Sequence, residues 1–62
     1  MFVKKLKEAR LEAGLSQIVV SKKLGKTQSY ISKVESDQSR IDVVELKKFA
    51  QIYKKQIDFF IR

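Results

Sequence analysis

Residues 17–36, QIVVSKKLGKTQSYISKVES, decide the fold of this chain. They read as two short helices joined by a sharp turn at Gly25. The first, over residues 17–24, carries apolar Val20 and Leu24 one turn apart, with small Ser21 between them. The second opens at Thr27, whose hydroxyl suits the free N–H groups of a helix start, and sets Ile31 and Val34 on one face. Four apolar anchors, a small residue on the first helix and a glycine between them let the two helices cross closely.

That arrangement is the logic of a helix-turn-helix. Its second helix turns Gln28, Ser29, Ser32 and Lys33 outward, polar groups suited to base edges and phosphates. Gln28 leads, because a glutamine there can bond adenine N6 and N7 together, worth ~1–3 kcal/mol of discrimination. The plainer reading is a solvated residue in a first helical turn. Ser29 bonds bases or phosphates and also caps helices, Ser32 suits a base or sugar, and Lys33 reaches a guanine edge or a phosphate as a mobile charge. Tyr30 lies on the flank, where packing against the preceding helix competes with a phosphate contact. Gln17 begins the first of the two helices, where its amide and the free backbone N–H groups face a phosphate, aided by the positive end of the helix dipole. Lys26, Gln38, Ser39 and Arg40 add phosphate contacts from the two loops.

Working outward, residues 2–13 form a helix with Phe2, Leu6, Ala9 and Ala13 as its buried stripe. Gly14 stops it, Leu15 tucks the loop toward the core, and Ser16 caps the next helix. The polar run 37–40 is a loop. Asp42 caps a fourth helix whose buried stripe is Val43, Leu46, Phe49, Ala50 and Tyr53, with Lys54 and Lys55 at its end. Residues 56–61 make a short fifth helix. The expectation is an all-α chain of five helices in a single domain spanning residues 1–62.

Composition sets the outer limits. A chain of 62 residues buries about 60% of its unfolded surface, a marginal core. With neither cysteine nor histidine, disulfides are excluded and zinc loses its usual ligands, so no metal or cofactor is expected. A net charge of +7 favours polyanions, either nucleic acid or an anionic membrane. No apolar run approaches a membrane span, and Met1-Phe2-Val3 runs directly into charged residues with no signal peptide. A cytoplasmic, nucleoid-associated location is expected. The seven carboxylates form no acid–base pair, and no glycine-rich phosphate loop is present, so the chain is not read as an enzyme.

The residues from Arg10 through Gly14-Leu15-Ser16-Gln17 to Glu35 and Ser39-Arg40-Ile41-Asp42 resemble the phage-repressor (Cro-like, XRE) helix-turn-helix family along nearly the whole chain. The resemblance implies a compact five-helix lambda-repressor-like domain that binds double-stranded DNA. In that family the position of Gln17 clamps the DNA backbone, and Arg10 and Glu35 resemble an internal ion pair between the first helix and the end of the third. Exposed, such a pair contributes ~0–1 kcal/mol; buried, deleting one partner costs about 3–5 kcal/mol. Burial is favoured because Arg10 belongs to the apolar stripe of the first helix. Two departures stand out. Lys26 replaces the usual apolar residue after the turn glycine, so its stem covers the core or the turn packs loosely. Ile18 and Val19 replace residues that are usually polar and exposed.

The function this implies is a sequence-specific transcriptional regulator, a repressor binding a palindromic operator as a homodimer. Ile52, Phe59, Phe60 and Ile61 add apolar bulk beyond the core stripe and are the expected dimer interface. Two recognition helices would then reach half-sites about 34–36 Å apart. Two other readings stay open. One is a protein-interaction module or antitoxin-type partner in which the helix-turn-helix is mainly scaffold, engaged through Ile18, Val19 and the aromatic tail. The other is a basic helical peptide on anionic lipid, disfavoured because the apolar residues serve several packed helices.

Overall fold

Four of the five helices stop in the same way, and those stops set the positions of everything else. The computed structural model describes residues 3–61 as α1 (Leu6–Glu12), α2 (Gln17–Leu24), α3 (Gln28–Glu35), α4 (Val43–Tyr53) and α5 (Ile57–Ile61), with no strand among the described residues. After α1, α2, α3 and α4 the chain turns through a left-handed residue: Gly14, Gly25, Asp37 and Lys54, with φ of 72°, 70°, 62° and 57°. In each case the following N–H reaches back to a carbonyl of the last turn, as in Lys26 N to Ser21 O at 2.9 Å and Gln38 N to Lys33 O at 2.8 Å. These bonds satisfy carbonyls that a helix end leaves orphaned.

The helix starts follow side-chain chemistry. Ser16 Oγ accepts from Val19 N at 3.1 Å, Thr27 Oγ1 from Tyr30 N at 3.1 Å and Asp42 Oδ1 from Glu45 N at 2.7 Å. Each cap contributes about 1 kcal/mol. The exception is α1, which starts at Leu6 rather than near residue 2. Lys5 precedes it with φ 67° and no side-chain cap, so the chain bends there and Val3 folds down into the core. Phe2 lies outside the described residues. Ala13, expected on the buried stripe, is exposed because α1 ends at Glu12 and Ala13 has already left the helical face.

The core joins Val3, Leu6 and Ala9 to Val20, Ile31 and Val34, and closes with Ile41, Leu46, Phe49, Ala50, Tyr53 and Phe60. Phe49 and Tyr53 pack with ring centroids 5.9 Å apart. Ser21, buried on α2, donates to Ile18 O at 2.7 Å, satisfying its hydroxyl within its own helix while α3 packs over it. On α4 the stripe differs by one residue from expectation. Val43 is 54% exposed, whereas Glu45 is buried. At about 100° per residue, a face centred on Leu46, Phe49 and Tyr53 leaves Val43 at its edge, and buried Ile41 covers that end of the core instead.

Candidate nucleic-acid interface

Helix α3 is held by one side and open on the other. Ile31 and Val34 are buried in the core, while Gln28, Ser29, Ser32 and Lys33 are all exposed. An eight-residue helix pinned so presents its polar edge at a fixed tilt, with no side-chain cover among the described residues. The Thr27 cap places Gln28 in the first turn, beside the N-terminus of α2.

Behind that edge runs a chain of polar contacts. Arg10 Nε donates to Glu35 Oε2 at 2.7 Å and Nη2 donates to Oε1 at 3.3 Å, while Nη1 donates to Leu15 O at 3.0 Å. The two side chains are 9% and 3% exposed, so this is a buried ion pair linking α1 to the last residue of α3. Half-buried Gln17 then donates from Nε2 to Glu35 Oε1 at 3.0 Å, and its own Oε1 accepts from Gln28 Nε2 at a long 3.4 Å. Gln17, expected to face a phosphate, thus also bonds inward. Local sequence does not reveal its bonds to Glu35 and Gln28, because residues 18 and 11 positions away meet it only through the crossing of α2 and α3.

The residues expected to touch phosphates divide. Lys26, Gln38 and Arg40 are exposed, and Ser39 is half-buried with its hydroxyl donating to Arg40 O at 3.5 Å. Lys26 Nζ sits 5.4 Å from the centre of the Tyr30 ring, a cation–π contact that accounts for a lysine after the turn glycine. Tyr30 sits partly buried against the core. Its half-buried hydroxyl faces Glu45, with Asp42 beyond, and burial followed by these two carboxylates pushes its pKa up. Carboxylates beside that hydroxyl disfavour a phosphate there, and the ring packs against the core. Glu45 is the functional-looking group that sequence reasoning did not single out; its Oε1 is buried without a hydrogen-bond partner, and its Oε2 lies 3.9 Å from Lys48 Nζ.

The expected dimer residues also separate. Phe60 is 2% exposed and belongs to the core, meeting Phe59 edge-to-face at 5.2 Å, because the short α5 folds inward to close the bundle. Phe59 is half-buried beneath Lys5 and Lys55, whose Nζ atoms lie 5.3 and 4.7 Å from its ring centre. Ile52 is half-buried and Ile61 is exposed. On α2, Ile18 and Val19 are 50% and 40% exposed.

A polar recognition edge on the second helix of a tightly crossed pair defines a DNA-binding helix-turn-helix protein. A helix-turn-helix family model matches residues 6–60, and the chain belongs to this XRE-type (Cro-like) family of DNA-binding transcription regulators. Its fold is similar to that of the restriction-modification controller protein C.AhdI from Aeromonas hydrophila, with a TM-score of 0.79 and 30% sequence identity over 87% of this chain and 82% of that one. No curated protein sequence matches closely enough to add a further relative. Among the described residues no helix is long and apolar enough to cross a membrane.

Proposed function

We propose that this chain is a sequence-specific repressor that binds a two-fold symmetric operator as a homodimer, with α3 in the major groove. The observation that carries the reading is the division of α3 between a core-locked apolar face and the exposed edge Gln28, Ser29, Ser32 and Lys33. In this reading Gln28 reads a base, Ser29, Ser32 and Lys33 supply further groove contacts, and Gln17, Lys26, Gln38, Ser39 and Arg40 hold the flanking phosphates. Occupancy of the operator blocks transcription, so control comes from the concentration of the regulator. One helix of eight residues reads few base pairs, which favours two copies on paired half-sites. Exposed Ile61, with half-buried Ile52 and Phe59, is the apolar surface available to an interface near α5, and Phe60 is not. Likeness to the C.AhdI controller favours a restriction-modification system as the biological setting.

The test is selection of bound duplexes from a random pool, followed by affinity against salt. The reading expects a two-fold symmetric consensus and a log–log salt slope of about −0.9 per phosphate contacted. Enrichment of no duplex contradicts it. A second reading, a protein-interaction module or antitoxin-type partner, is favoured by exposed Ile18 and Val19 on α2. It requires a protein ligand whose binding is lost in Ile18→Lys while duplex affinity is absent from the outset.

A further inference from the structure

A glutamine amide has two edges of opposite meaning to a base. With its carbonyl and one N–H outward it matches adenine, which offers an N6 donor and an N7 acceptor; with N–H groups alone outward it matches the O6 and N7 acceptors of guanine. Which edge Gln28 presents depends on what holds the rest of the amide, and that holder is Gln17, whose Oε1 accepts from Gln28 Nε2. Gln17 is not free to turn over. Its Nε2 donates to Glu35 Oε1 at 3.0 Å, and a carboxylate only accepts. Glu35 is fixed in turn, since Arg10 holds both of its oxygens and is itself anchored on Leu15 O. Donation therefore runs one way along the amides, from Gln28 to Gln17 and from Gln17 to Glu35, where the guanidinium donates as well. The Gln28 carbonyl, unused in this chain of bonds, is left for the open side of α3.

We propose that Glu35 is a specificity-positioning residue: through Gln17 it sets the orientation of the Gln28 amide and so selects adenine over guanine at the base pair Gln28 faces. Glu35 itself is buried and reaches no base. The inference rests on the reading of α3 as the groove-facing helix and adds to it a determinant in the interior. A purely structural ion pair would support folding and overall affinity, but it would not set the identity of one base.

The experiment starts from duplexes selected by the wild-type chain from a random pool. The base pair facing Gln28 is the one whose preference Gln28→Ala abolishes. Affinities of wild type, Glu35→Gln and Gln17→Met are then compared on the selected duplex and on the same duplex with that A·T pair changed to G·C. Wild type prefers adenine about tenfold or more, the range of a bidentate contact. In Glu35→Gln, residue 35 gains a donor, Gln17 is free to turn over, and the preference falls to within about threefold. Gln17→Met leaves the ion pair in place and cuts the relay, so the preference falls likewise while thermal unfolding stays near wild type. If Gln17→Met weakens both duplexes equally and leaves the preference intact, the relay is overturned and Gln17 is a phosphate clamp alone. Should Glu35→Gln not fold, Gln17→Met decides by the same criterion. A wild-type chain that enriches no duplex, or a Gln28→Ala chain with every base preference unchanged, instead overturns the groove-facing reading of α3, a result distinct from an intact preference in Gln17→Met.

Discussion

Arg10 Nε lies 2.7 Å from Glu35 Oε2, with both side chains nearly sealed from solvent. The pair fastens the first helix to the end of the recognition helix, so the tilt of α3 is set by a charge contact as well as by Ile31 and Val34. Taking two charges out of water costs several kcal/mol per ion, offset here by three hydrogen bonds from the guanidinium.

Removing one partner strands the other. Arg10→Met or Glu35→Leu alone is expected to cost about 3–5 kcal/mol, and the double replacement to recover most of that loss. Urea unfolding of the three variants measures it. Single variants within about 1 kcal/mol of wild type would place the pair among exposed contacts of little energetic consequence.

Lys54 adopts φ 57° and ψ 43° at the end of α4, a conformation in which a Cβ crowds the following carbonyl. Lys54→Gly removes that crowding but loosens the unfolded chain, for a net gain of about 0.5–1 kcal/mol. A rise in thermal midpoint checks it; a fall would mean that the lysine makes an offsetting contact.

Tyr53 is buried with its hydroxyl unpartnered, and burial, then Glu35, raises its pKa above the ordinary 10.0, with Arg10 opposing. Above pH 10 the unfolded chain loses this proton while the native chain keeps it. The unfolded state then binds fewer protons, and stability falls as pH rises. The full contribution is present below pH 10. Tyr53→Phe should flatten the alkaline loss and leave neutral stability unchanged or up by about 1 kcal/mol, since no hydrogen bond is given up. Unfolding midpoints of both chains from pH 8 to 11 test the sign.

Lys26 faces solvent in the turn between α2 and α3, where the proposed docking puts a phosphate. Lys26→Gln should reduce the salt slope of operator binding by about 0.9 and weaken all sites alike. A changed base preference would move Lys26 from the backbone to a base edge.

Much of this architecture was legible from local chemistry. Ser16, Thr27 and Asp42 announce three helix starts because a short oxygen-bearing side chain before an apolar period has one favoured use. Gly14 and Gly25 announce two stops for an equally local reason. Asp37 and Lys54 make the same left-handed stop without a glycine, so no residue type marks it in the sequence. Lys5 likewise bends the chain so that Val3 reaches the core, which no period in residues 2–13 reveals. Glu45 in place of Val43, and Phe60 in the core, follow from the phase of α4 and the inward fold of α5. The outward edge of α3 could be read from spacing. The bonds from Glu35 to Gln17 and on to Gln28 could not, because they exist only once α2 crosses α3.

The central claim is that the edge from Gln28 to Lys33 is what meets DNA. Titrating isotopically labelled protein with a selected duplex and following backbone amide and glutamine side-chain NMR signals tests it most directly. The account predicts the largest shifts at Gln17, Gln28, Ser29, Ser32 and Lys33, with Ile57, Asp58 and Phe59 little changed at fixed oligomeric state. Shifts concentrated on α5 or on Ile18 and Val19, with those of α3 unmoved, would contradict it.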